Sequence, residues 1–159
     1  MANRIIGENM KAVIQRCLNA ELRVDGELIS KIEKGMVVFL GVGVGDSEVE
    51  LEKIGKKIVK LRIFEDKNGK MNLSIKETQG EILLVSQFTL YASTVKGNRP
   101  SYIKAAKPDI AVPLYEKFVS LVEEQSGNEV KCGIFGADMK VSLLNDGPVT
   151  IIVDSKLKY

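Results

Sequence analysis

Polar side chains follow directly on a continuous apolar run in the middle of the chain. Residues 82–85 are Ile, Leu, Leu and Val, and the next four are Ser86, Gln87, Phe88 and Thr89. An apolar run of this length is typical of a strand that is buried on both faces. Buried hydroxyls and amides cost free energy unless each finds a partner. Either this strand end forms one wall of an active site, or its polar groups hydrogen bond to neighbouring backbone.

The composition narrows the chemistry available to such a wall. The chain contains no histidine, which excludes a Ser–His or Cys–His nucleophile pair, an imidazole base and a histidine-ligated zinc ion. Its two cysteines, Cys17 and Cys132, lie far apart and form neither a metal-type cluster nor a disulfide framework. Both lie in apolar, strand-like surroundings, so we expect buried, unreactive thiols, and we expect no metal and no cofactor.

The distribution of charge is more informative than its total. A net charge of +2 on 159 residues does not by itself predict nucleic-acid binding. Residues 82–108, however, contain no Asp or Glu. The cations of this stretch are Lys96, Arg99, Lys104 and Lys107. A positive stretch directly after the proposed wall suits a polyanionic substrate, and a solvated loop is the alternative.

A glycine-rich segment at residues 41–46 resembles a phosphate-binding loop between a strand and a helix. Its spacing does not fit the dinucleotide fingerprint, because Asp46 stands where the final glycine is required. It also lacks a Gly-Lys-Ser/Thr ending. We therefore favour a tight turn in which Asp46 or Ser47 caps the next helix.

Two main helices are predicted, one on each side of the central strand in sequence. An apolar stripe at helical spacing places the first at residues 48–60, and Pro108 and Gly127 mark the beginning and the end of the second. A short helical turn is expected at residues 101–106, and a turn between two strands at residues 145–148. Strands are predicted at residues 11–18, 21–24, 28–32, 36–42, 61–64, 71–75, 129–135, 139–144 and 149–153.

These elements predict a single α+β domain over residues 10–159, with a mixed, barrel-like β-sheet and the two helices packed on it. Residues 1–9 have no clear periodicity, and we interpret them as an extension that is disordered. No apolar run approaches membrane-spanning length, and the N-terminus has no apolar signal core. We therefore expect a cytoplasmic protein without a membrane partner.

Gly147 and Pro148 form the second segment of interest. Proline fixes φ and donates no hydrogen bond to a sheet, so it belongs at a turn or a strand start. A cis Gly147–Pro148 bond would orient two neighbouring carbonyls in an unusual way, and a trans turn joining two strands is the alternative. The residues themselves leave both open.

Together these segments resemble one family. Residues 86–90, Ser-Gln-Phe-Thr-Leu, and residues 145–150, Asn-Asp-Gly-Pro-Val-Thr, resemble the two signature motifs of the D-aminoacyl-tRNA deacylases. Further similar segments are residues 10–16, 61–64, 69–72, 96–100 and 135–139. The resemblance extends over residues 10–154, and both motifs occur in order at the family's spacing.

The resemblance implies a hydrolase that cleaves a D-amino acid, or glycine, from the terminal adenosine of tRNA, for proofreading in translation. It implies a homodimer whose active sites lie at the subunit interface, with a cis Gly147–Pro148 bond inserted into the partner's site. There the two carbonyls would hold the substrate's α-amino group and block an L side chain. The motif at residues 86–89 would form the pocket beside the scissile ester, Phe135 would support the adenine, and Ala111 would line the same region.

Two chemical routes follow from this resemblance. Thr89 is the nucleophile candidate by residue type, but the sequence identifies no base to activate it. In the route we favour, the ribose hydroxyl of the tRNA activates a water molecule, and backbone N–H groups near Phe88 and Thr89 hold the oxyanion.

Two other classes of function remain as alternatives. One is a non-catalytic RNA-binding module that uses Lys96, Arg99, Lys104 and Lys107 as its tRNA contacts. The other is a hydrolase for another acyl ester, with Thr89 as a true nucleophile and no requirement for RNA.

Overall fold

The computed structural model of the protein describes residues 9–159. Most of the extension expected at residues 1–9 therefore lies outside the described residues. Asn9 is described, and its Nδ2 donates a hydrogen bond to Asp154 Oδ1 at 2.5 Å. Its carbonyl oxygen accepts a hydrogen bond from the Tyr91 hydroxyl at 2.6 Å. Asn9 is thus connected to two separate parts of the chain.

The described residues form eight strands and three α-helices. The strands are β1 Lys11–Val24, β2 Glu27–Ile32, β3 Gly35–Gly41, β4 Phe64–Glu65, β5 Met71–Leu73, β6 Glu81–Ser86, β7 Val130–Cys132 and β8 Met139–Asp154. The helices are α1 Glu48–Lys60, α2 Ile75–Thr78 and α3 Pro108–Ser126, and a 3₁₀ helix spans Phe88–Tyr91. In these residues no helix is both long enough and apolar enough to cross a membrane.

The main sheet is mixed and curls around its longest strands. Its order is β2-β1-β3-β6-β7, and β8 pairs with β1. The β3–β6 and β6–β7 pairs are parallel, whereas β2, β3 and β8 all pair antiparallel to β1. Because β1 is long enough to pair with β3 along its first half and β2 along its second, the sheet bends there into a nearly closed barrel. The predicted α+β class with barrel-like β layers is confirmed.

Both faces of the sheet are buried at β3 and β6, which explains the continuous apolar runs of these two strands. Along β3, Met36, Val38 and Leu40 join a core shared with α1 and α3. Val37 points the other way, into a second core inside the curl of the sheet. Alternation of side chains along a strand therefore requires apolar residues at every position here.

The helical side of the core is closed by α3. Phe118 is fully buried, and a Cβ added at Gly55 of α1 would lie 2.6 Å from Leu121 and 3.6 Å from Phe118. The two helices therefore approach each other closely because Gly55 has no side chain. Their predicted extents are confirmed: α1 covers residues 48–60, and α3 begins at Pro108 and is capped by Gly127 in a left-handed conformation.

Several shorter predictions were wrong. The strand expected at 61–64 occupies only Phe64–Glu65. The helical turn expected at 101–106 is reduced to one hydrogen-bonded turn, in which the Ala105 amide donates to the Tyr102 carbonyl at 3.0 Å. The edge strand expected to extend to residue 75 ends at Leu73, because Ser74 and Glu77 form a capping box that starts α2. The strand expected at 129–135 is limited to Val130–Cys132.

The prediction of a turn at residues 145–148 was also wrong, because β8 continues through these residues as one strand. Its pairing with β1 steps from Gln15–Thr150 to Cys17–Asn145, so the intervening residues bulge out of the ladder. A bulge leaves its extra residues unpaired, and proline is tolerated there because it has no N–H to donate. The Gly147–Pro148 peptide bond lies in this bulge and is cis.

Replacing Ser47 by alanine is expected to destabilise the protein by about 1 kcal/mol. Ser47 and Glu50 form a reciprocal capping box at the start of α1, and the serine hydroxyl accepts a hydrogen bond from the Val49 amide at 3.3 Å. Chemical denaturation measures the loss. Ser120→Ala, at an exposed site within α3, is the matched control and is expected to change the free energy of unfolding by less than about 0.5 kcal/mol.

Candidate active site

A cavity of about 340 Å³ opens at the carboxyl ends of the parallel strands β3 and β6, where the helical layer meets the curled sheet. Its lining residues are Phe39, Leu40, Val42, Val85, Ser86, Gln87, Phe88, Thr89, Ala106, Ala111, Tyr115, Phe135, Gly136, Ala137, Asp138, Met139 and Val141. The structure therefore brings together six of the residues singled out in the sequence: Ser86, Gln87, Phe88, Thr89, Ala111 and Phe135. The cavity is mostly apolar, with a few hydroxyl and amide groups at one side.

The polar side of the cavity is built by the end of β6. The strand stops at Ser86, and the Gln87 amide still donates to the Leu40 carbonyl at 2.8 Å. The chain then turns into the 3₁₀ helix Phe88–Tyr91. The first amides of a helix have no partner within it, and the first two residues of this helix, Phe88 and Thr89, both line the cavity.

The Thr89 hydroxyl faces an amide rather than a base. Gln87 Nε2 donates a hydrogen bond to Thr89 Oγ1 at 3.1 Å. Asp138 carries the one carboxylate among the described residues that line the cavity, and it pairs with the Lys140 ammonium at 3.0 Å. Within residues 9–159, no carboxylate hydrogen bonds to Thr89. Within the described residues, the Thr89 hydroxyl is therefore oriented by an amide, and no base hydrogen bonds to it.

Helix α3 forms the opposite wall through Ala111 and Tyr115. The buried Tyr115 hydroxyl donates to the Leu84 carbonyl at 2.9 Å. Burial raises the pKa of Tyr115, so this phenol stays protonated near neutral pH. The Tyr115 ring contacts Phe135 edge to face at a centroid distance of 5.9 Å. Tyr115 therefore fixes Phe135 at the rim of the cavity.

Sequence reasoning did not single out Tyr115 for this role, although its helical position pointed inward. It also gave no role to Ala106, Gly136, Ala137 or Asp138, which come from loops. Loop residues carry no periodic signal, so only the tertiary structure reveals that they share a cavity with β6.

The two cysteines lie outside the cavity lining. Cys17 is fully buried, and burial raises its pKa to about 11. Cys132 is half-buried rather than fully buried, and burial also raises its pKa. A raised pKa keeps a thiol protonated and therefore unreactive. No group of three or more His, Cys, Asp or Glu side chains in the described part of the chain is arranged to hold a metal ion.

Gly147 and Pro148 do not line the cavity of their own chain. They are exposed on the bulge of β8, which is fixed from both sides. The Asn145 side-chain oxygen accepts a hydrogen bond from the Val149 amide at 3.1 Å, across the Gly147–Pro148 bond. The bulge is thus presented outward in a defined conformation.

The buried side chain of Arg16 supports the bulge from below. Its Nε donates to the Asp146 carbonyl at 3.0 Å and lies 3.3 Å from the Asp146 carboxylate. Its Nη1 donates to the Ile63 carbonyl at 2.7 Å. A buried guanidinium is retained only when its donors are satisfied. Arg16 is a supporting residue that the sequence argument did not assign a role.

The four cations predicted as polyanion contacts, Lys96, Arg99, Lys104 and Lys107, are exposed and lie outside the cavity lining. None of them pairs with a carboxylate in the described part of the chain.

The glycine-rich loop at residues 41–46 is closed by the side chain of Asp46. The Asp46 carboxylate accepts a hydrogen bond from the Gly43 amide at 2.6 Å. This contact supports the tight-turn interpretation of the loop.

Fold and cavity together define an α+β protein with one apolar cavity at the ends of parallel strands, bordered by hydroxyl and amide groups. Comparison with known proteins gives the family. The sequence model of the D-Tyr-tRNA(Tyr) deacylases matches residues 13–154. A D-aminoacyl-tRNA deacylase of Flavobacterium psychrophilum is 58% identical over 149 residues, which cover 94% of this chain and 99% of that protein. One of Bacteroides fragilis is also 58% identical, with the same coverage.

Two solved structures share the fold of this chain. A c-Myc DNA unwinding element binding protein superposes with a TM-score of 0.84 at 42% identity, over 90% of this chain and 97% of the other. A probable eukaryotic D-amino acid tRNA deacylase shares the fold, with a TM-score of 0.78 at 19% identity, over 92% of this chain and 99% of the other. The chain belongs to the D-Tyr-tRNA(Tyr) deacylase family.

Proposed function

We propose that this protein hydrolyses the ester bond between a D-amino acid and the terminal adenosine of tRNA. The observation that carries this proposal is the cavity itself. Ser86 and Thr89, the first and last residues of the segment 86–89, line it together with Ala111 and Phe135. Its apolar wall suits an adenine and an amino-acid side chain, and its polar edge suits an ester. The curated relatives named as D-aminoacyl-tRNA deacylases support the assignment.

In the proposed complex, Phe135 and Ala111 contact the adenine, and residues 86–89 lie beside the scissile ester. The site is completed by a second copy of the chain. Gly147 and Pro148 are exposed on a bulge and do not line their own chain's cavity, so they are free to enter a partner's. A homodimer with two interfacial sites satisfies this geometry. Arg16 and Asn145 then keep the inserted bulge in shape.

Chirality is selected by exclusion in this arrangement. The Gly147 and Pro148 carbonyls accept hydrogen bonds from the substrate's α-amino group, and the backbone behind them occupies the space of an L side chain. A rigid wall discriminates by repulsion, which is stronger than a preference for D side chains. Glycine has no side chain that could clash, so glycyl-tRNA is also a substrate.

The chemistry is assisted by the substrate. A ribose hydroxyl next to the ester accepts a hydrogen bond from a water molecule, whose oxygen attacks the carbonyl carbon. The N–H groups of Phe88 and Thr89 stabilise the resulting oxyanion. The bond between the carbonyl carbon and the ester oxygen then breaks. The proton of the attacking water passes to the neighbouring ribose hydroxyl, and the proton of that hydroxyl passes to the departing ester oxygen. The products are a free D-amino acid and a tRNA that is ready for recharging.

Thr89→Ala is expected to lower kcat for D-Tyr-tRNA by no more than about tenfold, because Thr89 positions the ester and forms no covalent bond. Thr89→Ser is expected to retain most of the activity. Rapid acid quenching of the wild-type reaction, followed by mass spectrometry, should show no acyl-enzyme. A trapped acyl-threonine, together with a complete loss of activity in Thr89→Ala, would instead make Thr89 the nucleophile.

Lys96, Arg99, Lys104 and Lys107 are the proposed contacts to tRNA phosphates. Their exposure and the lack of acidic neighbours between residues 82 and 108 support this role. Each phosphate contact releases counterions, so binding weakens steeply as salt is added.

In the cell, we propose that the protein acts in the cytoplasm as a proofreading enzyme that recycles tRNA and keeps D-amino acids out of translation.

A further inference from the structure

Two aromatic side chains form an exposed pair beside the cavity. The rings of Phe88 and Tyr102 are 5.0 Å apart at their centroids, with an interplanar angle of 73°. Phe88 is 55% exposed and Tyr102 is 37% exposed, which is unusual for large apolar side chains in contact. Each ring holds the other in a fixed orientation while part of its surface faces solvent. The pair is therefore a preformed aromatic surface rather than part of the core.

The pair adjoins the cavity through Phe88, and Tyr102 follows a cationic hairpin in the chain. Phe88 lines the cavity, whereas Tyr102 lies outside the lining. Ser93 and Ser101 form an antiparallel bridge through two hydrogen bonds, of 2.8 and 2.9 Å, between their backbone groups. This bridge closes a hairpin that carries Lys96 and Arg99, and Tyr102 follows immediately after it.

Charge and aromatic surface together fit single-stranded nucleic acid. Proteins that bind single strands combine cations that follow the backbone with aromatic rings on which bases stack. Here neither cation of the hairpin is neutralised by a carboxylate within residues 9–159. Phe88 contributes to both the pair and the cavity wall, and Tyr102 directly follows the hairpin that carries these cations.

We propose that the Phe88–Tyr102 pair is a stacking platform for the nucleotide that precedes the terminal adenosine of the tRNA 3′ end. Lys96 and Arg99 contact the phosphates on its 5′ side. This inference rests on the proposed function, because it takes the adenosine to occupy the cavity beside Phe88. It adds a specific part of the substrate, a single-stranded nucleotide, and a residue, Tyr102, that sequence reasoning did not consider.

The test compares two substrates that differ only in the preceding nucleotides, the D-tyrosyl ester of adenosine and the D-tyrosyl ester of the trinucleotide CpCpA. The readout is the ratio of their kcat/KM values, trinucleotide over adenosine. In the wild type this ratio is expected to be about 10 or more, since stacking of one base on an aromatic side chain has this effect. In Tyr102→Leu we expect the ratio to fall at least about fivefold, because one stacked base is lost while the phosphate contacts of Lys96 and Arg99 remain. A general loss of folded protein lowers both values equally and leaves the ratio unchanged.

Two further variants separate stacking from other roles of the side chain. Tyr102→Phe retains the ring, and its ratio should remain within about twofold of the wild type. Tyr159→Leu is the matched control, because Tyr159 is also an exposed tyrosine but contacts Lys53 and Lys57 of α1 instead. Its ratio should equal that of the wild type. Sedimentation of Tyr102→Leu should show the oligomeric state of the wild type.

A wild-type ratio near 1, or an unchanged ratio in Tyr102→Leu, would overturn the platform while leaving the deacylase activity intact. A changed oligomeric state in Tyr102→Leu would also overturn it, because the pair would then belong to an interface between copies of the chain. Failure of the wild type to hydrolyse either ester is a distinct result and contradicts the proposed function itself.

Discussion

The purified protein is expected to hydrolyse D-Tyr-tRNA about 100-fold faster than L-Tyr-tRNA, measured as kcat/KM. An L side chain directed at the Gly147–Pro148 backbone would be forced into an already filled space. Overpacking of this kind costs up to about 3 kcal/mol, and each 1.4 kcal/mol corresponds to a factor of about ten. The bulge cannot relax easily, since Arg16 and Asn145 hold it by hydrogen bonds.

Glycyl-tRNA is the control substrate for the origin of this selectivity. If the site excludes L side chains by repulsion, glycyl-tRNA is hydrolysed measurably, because it has nothing to exclude. Inertness towards glycyl-tRNA, with the D-ester cleaved, would show that the site recognises D side chains by attraction. Equal hydrolysis of the D- and L-esters would support the esterase activity but contradict the exclusion of L side chains by the Gly147–Pro148 backbone. Binding of tRNA without any hydrolysis would leave a non-catalytic RNA-binding module.

Gly147→Ala is expected to lower kcat/KM for D-Tyr-tRNA by about 100-fold, because misplacement of a positioning group by about 1 Å has an effect of this size. Gly147 has a φ of +130°, a conformation that L side chains rarely adopt. An added Cβ would lie 2.7 Å from Val149 Cγ2 and 3.2 Å from the Arg16 guanidinium. The backbone must therefore shift, and its carbonyl moves with it.

A second glycine provides the matched control for this substitution. Gly26, in the turn between β1 and β2, has a φ of +81°, and an added Cβ would meet nothing within 4 Å. Both alanine variants are expected to lose about 1–3 kcal/mol of unfolding free energy, the typical cost of a strained backbone conformation. Only Gly147→Ala should lose activity. Equal activity in both variants would contradict a role of Gly147 in the active site.

Where the signal was local, the sequence determined the structure of this protein closely. Helix α1 occupies residues 48–60 as predicted, because its apolar stripe lies within the helix and its Ser47 cap immediately precedes it. Helix α3 is likewise bounded by Pro108 and Gly127. The same type of signal, Ser74 followed by Glu77, was present for α2. It was missed because residues 71–75 were assigned to a strand. The family motifs and the lack of histidine also needed no structure to be read.

Tertiary structure decided the features that depend on distant residues. Residues 145–148 have the composition of a turn, yet pairing with β1 keeps them within one strand and turns the proline into part of a bulge. The cavity unites the end of β6 with α3 and with a loop near Phe135, and no sequence spacing connects these segments. The difference has one physical cause. Caps and helical stripes stabilise their own neighbourhood, whereas strand partners and cavity walls form only when long-range packing brings separate segments together.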